Sequence, residues 1–176
     1  TEMAGYLRME FKIPARRLIA FRNQFMTDTK GNGIMNHVFA GYEDYKGEIP
    51  GRTRGSLVAF ESGETTSYGI GNAQERGTMF VIPAEKIYEG QLVGENSRED
   101  DMDVNPCKKK HVSNMRASGS DEAIRLLPAR TFSVEQALGH INEGELVEVK
   151  PKSIRMRKKV LNRLERGKLR ARMKNS

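Results

Sequence analysis

Lys108-Lys109-Lys110-His111 opens the stretch of this chain richest in groups able to do chemistry. Three ammonium groups and an imidazole in succession suit a polyanion. Asn114 and Arg116 follow, and both carry hydrogen-bonding groups that read a base or a sugar. The run continues through Ala117-Ser118-Gly119-Ser120-Asp121-Glu122-Ala123 with neither helical nor strand periodicity, so it reads as a long exposed loop. Loops of this length inside a compact domain are functional or disordered. No aromatic residue lies in it. Stacking on a base therefore falls to Arg116, and phosphate and ribose contacts dominate, as suits recognition of RNA shape. The competing reading is a solvated surface loop paired with the acidic run before it.

Other chemistry is sparse. Glu99-Asp100-Asp101 and Asp103 form a carboxylate cluster that suits a hard cation but lacks the spacing of a calcium loop. Pairing with Lys108 to Lys110, or with RNA-bound magnesium, serves it as well. His37, His111 and His140 lie far apart with no Cys or carboxylate at metal spacing, and His140, beside an apolar helical stripe, reads as structural. Cys107 adjoins the three lysines, which favour its thiolate, yet no nucleophile signature surrounds it. No Ser-His-Asp, Cys-His or lysine-based arrangement is visible. The expectation is a chain with no catalytic residue, no metal site, no cofactor and no small-molecule substrate.

The elements that must position the loop are α+β in class. Tyr6 to Ile13 alternates as a strand, and Pro14 ends it. Leu18, Phe21 and Phe25 then recur at i, i+3, i+7, which predicts a helix over 16–27, and Ile34 to Gly41 reads as a second strand. After residues 43–55, a Gly/Pro connection, Ser56–Phe60 and Glu64–Tyr68 flank Gly63 as a hairpin. Asn72 to Arg76 suggests one helical turn. Thr78–Ile82, Ile87–Gly94, Met102–Val104 and Ala123–Leu127 read as strands, the last two framing the basic loop. Ser133-x-x-Gln136 is a capping box before the stripe Val134, Ala137, Leu138, Ile141, with Gly144 as the stop. Leu146–Val149 and Ile154–Arg157 are the final strands. Val160, Leu161 and Leu164 could support a helical face, and past Gly167 the tail is expected to fray. Phe11, Phe21, Phe25, Phe39, Phe60 and Phe80 all fall at expected core positions.

Composition agrees with a globular protein of 176 residues, 37% hydrophobic and 30% charged. No apolar run in these residues approaches a membrane span, and no signal peptide is expected. With one cysteine and no internal disulfide, a reducing, cytoplasmic setting is expected. Of the 30 basic and 23 acidic residues, 11 and 1 fall in residues 151–176, a net charge of +10; the first 150 residues are net −3 by difference. The basic character belongs to the tail and one loop, which is the electrostatic footprint of a polyanion partner, with a disordered solubilising tail as the alternative.

Motifs in the same order along nearly the whole chain resemble the TypA/BipA translational GTPases. They are Ile13-Pro14-Ala15-Arg16, Phe21-Arg22, Gly33-Ile34-Met35-Asn36-His37, Arg52-Thr53-Arg54-Gly55, Gln74-Glu75-Arg76-Gly77, Asn96-Ser97-Arg98-Glu99-Asp100-Asp101, Val104-Asn105-Pro106, the stretch from Asn114 to Ala123, Glu145 to Val149 and Pro151-Lys152-Ser153-Ile154-Arg155. Arg17 and Ala20 depart where the family usually has glycine, and Ile70-Gly71 replaces a more apolar pair.

The resemblance implies the second half of an elongation factor G-like ferredoxin fold over 1–45, a strand–helix–strand unit lacking its first half. Such a unit is expected to pack on the next domain, on a second copy, or to be poorly ordered. It implies a mostly β, barrel-like C-terminal domain over 46–176, with one or two helices, an RNA-binding loop over 105–121 and the basic tail over 151–176. The first residue is Thr1 and no Gly-x-x-x-x-Gly-Lys-Ser/Thr loop is present, so a fragment is expected, with the GTPase domain and its GTP and magnesium in a longer parent. The implied partners are the ribosome, ribosomal RNA and the acceptor end of transfer RNA, in ribosome assembly and stress-related translation. The implied contact residues are Lys108, Lys109, Lys110, His111, Asn114 and Arg116 in the loop, and Arg155, Arg157, Lys158 and Lys159 after the Ser-Ile-Arg motif. A basic-tailed module for an acidic membrane surface or a protein partner is the alternative, though its apolar stripe is short and interrupted.

Overall fold

The computed structural model describes residues 2–3, 6–45, 47, 52–110 and 125–174. His111, Asn114, Arg116 and most of the 105–121 loop lie outside these residues.

The N-terminal segment begins with a short antiparallel pair, β1 (Glu2–Met3) and β2 (Tyr6–Leu7), with Glu2 opposite Leu7. The expected strand to Ile13 is therefore only two residues long. Helix α1 (Ala15–Asp28) follows Pro14, whose fixed φ suits a helix entry. The Thr29 side chain closes it by donating to the Phe25 carbonyl at 2.7 Å, and the chain leaves through left-handed Lys30 and Gly31. The expected strand over 34–41 does not form. No other strand pairs with this segment among the described residues, and a strand without a ladder does not hold. Its large side chains consequently stand in solvent, Ile34 at 79% and Val38 at 90% exposure. Phe11 and Phe39 are exposed with them, and Phe21 and Phe60 partly so, contrary to their expected core positions.

From Ser56 the chain builds a sheet. Strand β3 (Ser56–Ala59) is buried throughout. The expected hairpin with Glu64–Tyr68 is absent: β4 (Gly63–Glu64) pairs elsewhere, and Ser67 opens helix α2 (Ser67–Gln74). The reason is a cap. The Thr66 hydroxyl accepts from the Gly69 N–H at 2.9 Å, and Ile70 and Ala73 enter the core. After α2 come β5 (Gly77–Met79), β6 (Lys86–Ile87), β7 (Leu92–Asn96) and β8 (Met102–Val104). The sheet order is β5-β7-β3-β8, with β3 antiparallel to β7 and parallel to β8, and β4 pairs with β6. The strand expected over 87–94 is thus split around Gly90, which sits at φ +82°. Residues 125–127 form no strand; Ala123 and Ile124 lie outside the described residues.

Helix α3 (Val134–His140) has the expected capping box, with Ser133 and Gln136 each bonded to the other's backbone N–H. It ends at His140, four residues before Gly144, because Ile141 is already extended. The hairpin of β9 (Glu145–Lys150) and β10 (Ser153–Lys158) follows, with Glu145 opposite Lys158. Helix α4 (Arg163–Lys174) runs on past Gly167, where fraying was expected. Asn162 starts it by accepting from the Leu164 and Glu165 N–H groups.

Two apolar clusters hold these layers. Leu57, Ala59, Ile70, Ala73, Met79, Val81, Ile87, Val93 and Val104 lie between α2 and the sheet. Leu92, Ala137 and Met156 join the sheet, α3 and the hairpin, with Phe80 and Phe132 at 4.8 Å edge to face. Helix α1 lies against α3. The class is α+β, but the sheets stay open, so the expected barrel is not closed among the described residues.

Candidate nucleic-acid interface

The basic loop leaves the sheet just after β8, the strand expected at its entry, and both its roots are bonded to α2. At its entry the Thr66 hydroxyl donates to the Lys108 carbonyl at 2.5 Å, and the Thr66 N–H bonds the Pro106 carbonyl at 2.9 Å. Gly69 lets the helix approach this closely: a Cβ there would stand 2.2 Å from the Pro106 oxygen. At the loop's exit Gln74 works in both directions. Its Nε2 donates to the Arg125 carbonyl at 2.9 Å, and its Oε1 accepts from the Leu127 N–H at 3.0 Å. From Thr66 to Gln74 a helix rises about 12 Å. Both roots of the loop are therefore spaced by one short helix that is anchored in the core through Ile70 and Ala73. Motif reading did not single out Thr66, and Gln74 stood in the Gln74-Glu75-Arg76-Gly77 motif without a role of its own. A threonine four residues before a core position is a cap signal, but the paired glycines of α2 disguised the helix.

Lys108, Lys109 and Lys110 are exposed at the loop's entry. The second basic set is largely engaged in the fold. Lys158 Nζ lies 2.6 Å from Asp101 and 2.7 Å from Glu145, with only 12% of its side chain exposed. It serves the fold instead of offering an open charge. Arg157 pairs with Glu148 at 2.9 Å, and Arg155 lies half-buried over the Tyr88 ring at 6.0 Å. Lys159 is exposed and follows β10 directly.

Lys158 belongs to a buried ionic network that organises the hairpin. Glu145, wholly buried, accepts both oxygens' worth of bonds from Arg52 Nη2 (2.8 and 2.9 Å), and further bonds from Ser56 Oγ (2.5 Å), the Asn142 N–H (2.9 Å) and Lys158. Asp101 accepts from the Ser56 N–H at 2.8 Å. Burial alone would raise both carboxyls. Hydrogen bonds from Lys158 and from Ser56, with the Lys158 charge, overcome it and hold both below the usual carboxylate range. Arg52 Nη1 also meets His140 Nε2 at 2.8 Å. Burial and the Arg52 charge push the His140 pKa down to about 4, so it is neutral at pH 7, as its structural reading required. Two acids and two bases thus close a balanced buried set.

The acidic run has a different partner from either one expected. Asp103 pairs with Arg163 (3.3 Å) and Arg166 (2.7 Å), and Asp101 with Arg170 (3.0 Å), so the basic tail folds against β8. Among the described residues no group of three or more His, Cys, Asp or Glu is placed to hold a metal. Cys107 behaves opposite to its lysine neighbours' influence: burial and the Glu61 charge push its thiol up. Among the described residues no helix is long and apolar enough to cross a membrane.

Comparison with known proteins places these features. The family model described as TypA/BipA C-terminal domain matches residues 54–163, and that described as elongation factor G C-terminus matches residues 1–53. Large ribosomal subunit assembly factor BipA of Bacillus subtilis is 43% identical over 165 residues, covering 93% of this chain and 27% of the relative. The protein of that name from Haemophilus influenzae is 44% identical over 163 residues, covering 92% and 26%. That from Synechocystis sp. is 42% identical over 158 residues, covering 90% and 26%. The chain therefore spans about a quarter of the length of these relatives.

Proposed function

The chain belongs to the TypA/BipA family, and on that footing we propose that it is the ribosome-contacting C-terminal region of a longer translational GTPase acting in large-subunit assembly. Its division of labour follows the two matched segments, with the RNA-contacting work in the second. The observation that carries the reading is the α2 clamp. A helix fixes both roots of a loop that opens with three exposed lysines, and a scaffold that holds the ends of a cationic loop presents it to a partner. The partner is ribosomal RNA. The loop cations, from Lys108 to Lys110 with His111, Asn114 and Arg116, engage phosphate and ribose, and the resemblance extends this to the acceptor end of transfer RNA and to translation under stress. Lys159 adds to the surface; Arg155, Arg157 and Lys158 mainly support it. GTP, its magnesium and the hydrolysis belong to another part of the longer protein, and the setting is the cytoplasm.

Sedimentation separates this from the membrane alternative. The chain is spun with purified large ribosomal subunits and, separately, with vesicles containing anionic phosphatidylserine. Co-sedimentation with subunits at low salt and not with vesicles is expected. Retention on vesicles alone would overturn the reading.

A further inference from the structure

The tail was expected to be an open basic patch, yet α4 lies with its arginines turned onto carboxylates. Arg163, Arg166 and Arg170 recur at i, i+3 and i+7, one face of the helix, and all three meet Asp101 or Asp103. Together they line a cleft of about 380 Å³ with Leu164 and Gly167.

The three arginines differ in how firmly they are held. Arg166 is buried and reaches the Val160 and Leu161 carbonyls as well as Asp103. The segment beneath it is tight: a Cβ at Gly90 would stand 2.7 Å from Leu161 Cα, and Lys158 N–H bonds the Gly90 carbonyl at 2.9 Å. The root of α4 is therefore fixed. Arg163, in the first turn with its N–H anchored on Glu89, and Arg170, beyond the root, have half-exposed side chains, at 51% and 52%; Leu164 is 73% exposed and Leu169 43%. The helix past its root is held mainly by exposed ion pairs, which are weak and screened by salt. Arg163 also covers the Phe60 ring at 4.6 Å, so its planar face is already arranged for stacking.

Asp103 stands on β8, an edge strand of the sheet, Asp101 directly precedes that strand, and the basic loop begins five residues after Asp103. Five residues span at most about 17 Å, so Lys108 lies within that reach of Asp103.

We propose that Arg163 and Arg170 are RNA phosphate-binding residues masked in the free protein by Asp103 and Asp101, which occupy the positions that phosphates take on binding. The inference rests on the RNA-binding reading above. Arg166 is the pivot and stays with Asp103. RNA competes with the acidic edge for the two outer arginines, and the exchange conserves charge pairing. Binding is thereby biased toward a partner dense enough in phosphate to displace both carboxylates, and weak anions leave the strap closed.

The test is fluorescence anisotropy of the full chain with a labelled single-stranded oligoribonucleotide over a salt series, comparing wild type, Asp103→Asn and Arg163→Ala/Arg170→Ala. Asp103→Asn keeps shape, leaves an amide oxygen to accept from the buried Arg166, and removes the charge that competes for Arg163. It should tighten binding by roughly 1.5- to 5-fold, the equivalent of freeing one exposed ion pair, and steepen the log–log salt slope by about 0.7. The double arginine variant should flatten the slope by about 1.4. Amide exchange read on the same samples should show α4 opening faster in Asp103→Asn while β3 stays protected, which establishes that the fold is kept. Unchanged or weaker binding by Asp103→Asn with β3 protected would overturn the proposal, for then the carboxylate is an anchor only. If neither wild type nor Asp103→Asn binds the oligonucleotide or large subunits at low salt, the RNA-binding reading itself fails, and this inference with it.

Discussion

Replacing Glu145 with Ala removes the anion on which the hairpin, α3 and β3 converge. Five contacts disappear at once: two to Arg52 Nη2 at 2.8 and 2.9 Å, and those to Ser56 Oγ, the Asn142 N–H and Lys158 Nζ. Arg52 and Lys158 side chains are only 11% and 12% exposed, so water cannot replace the lost carboxylate. Breaking a buried pair by removing one partner costs about 3–5 kcal/mol, a large share of a typical folding stability of roughly 5–15 kcal/mol. Glu148→Ala is the control. Its pair with Arg157 is equally short at 2.9 Å but lies nearer the surface, where such pairs are worth about 0–1 kcal/mol. Urea unfolding followed by circular dichroism reads both. Glu145→Ala should move the midpoint several-fold further than Glu148→Ala at unchanged m-value. Equal shifts, or a Glu145→Ala cost under about 1 kcal/mol, would refute the claim that burial makes this network decisive.

Three other expectations follow from the same contacts. Gly69→Ala gains about 1 kcal/mol in helix propensity but drives a Cβ to 2.2 Å from the Pro106 oxygen, an overpacking cost of about 1–3 kcal/mol; thermal melting should show net destabilisation, and a stabilised variant would contradict the close approach. Gln74→Ala loses both bonds at the loop's exit, so the Leu127 amide should exchange faster while β3 stays protected and subunit affinity drops; unchanged affinity would free α2 of its clamping role. His140 protonates near 6.5 in the unfolded chain but at about 4 when folded, so the unfolded state binds more protons between those values. Stability is then full above about pH 6.5 and falls by about 3 kcal/mol as pH drops toward 4, with a further loss below that as Asp101 and Glu145 protonate. An imidazole titrating near its ordinary value in the folded protein would contradict it.

How much of this was legible depends on how local the cause was. Helix α1 was, because Leu18, Phe21 and Phe25 carry its period and Pro14 its start. Helix α3 was, because Ser133 and Gln136 make the cap within four residues. Helix α2 was legible only in its last turn, expected over 72–76: Gly69 and Gly71 argue against a helix on propensity, and the packing on Pro106 explains Gly69. The segment 34–41 alternates like a strand, but pairing is not a property of one segment. In the site, the lysines of the loop entry were legible as charge. The partners of Asp101, Asp103, Arg52 and Lys158 were not, since Arg52 and Glu145 are 93 residues apart and a charge's partner has no periodicity to betray it. The tail's helix beyond Gly167 fails for the same reason, held by Arg170 on Asp101 across 69 residues.

The central claim is that the clamped loop carries the RNA contacts, and a salt-dependent titration of large ribosomal subunits tests it most directly. Wild type is compared with Lys108→Ala/Lys109→Ala/Lys110→Ala. Each lysine on a phosphate releases counterions, so the variant should lose affinity and flatten the log–log slope by about two to three units. Arg116→Ala, a stacking or hydrogen-bonding loss, should cost about 1–3 kcal/mol with a smaller change of slope. A triple variant with wild-type affinity and wild-type slope would contradict the account and leave the loop as ordinary surface.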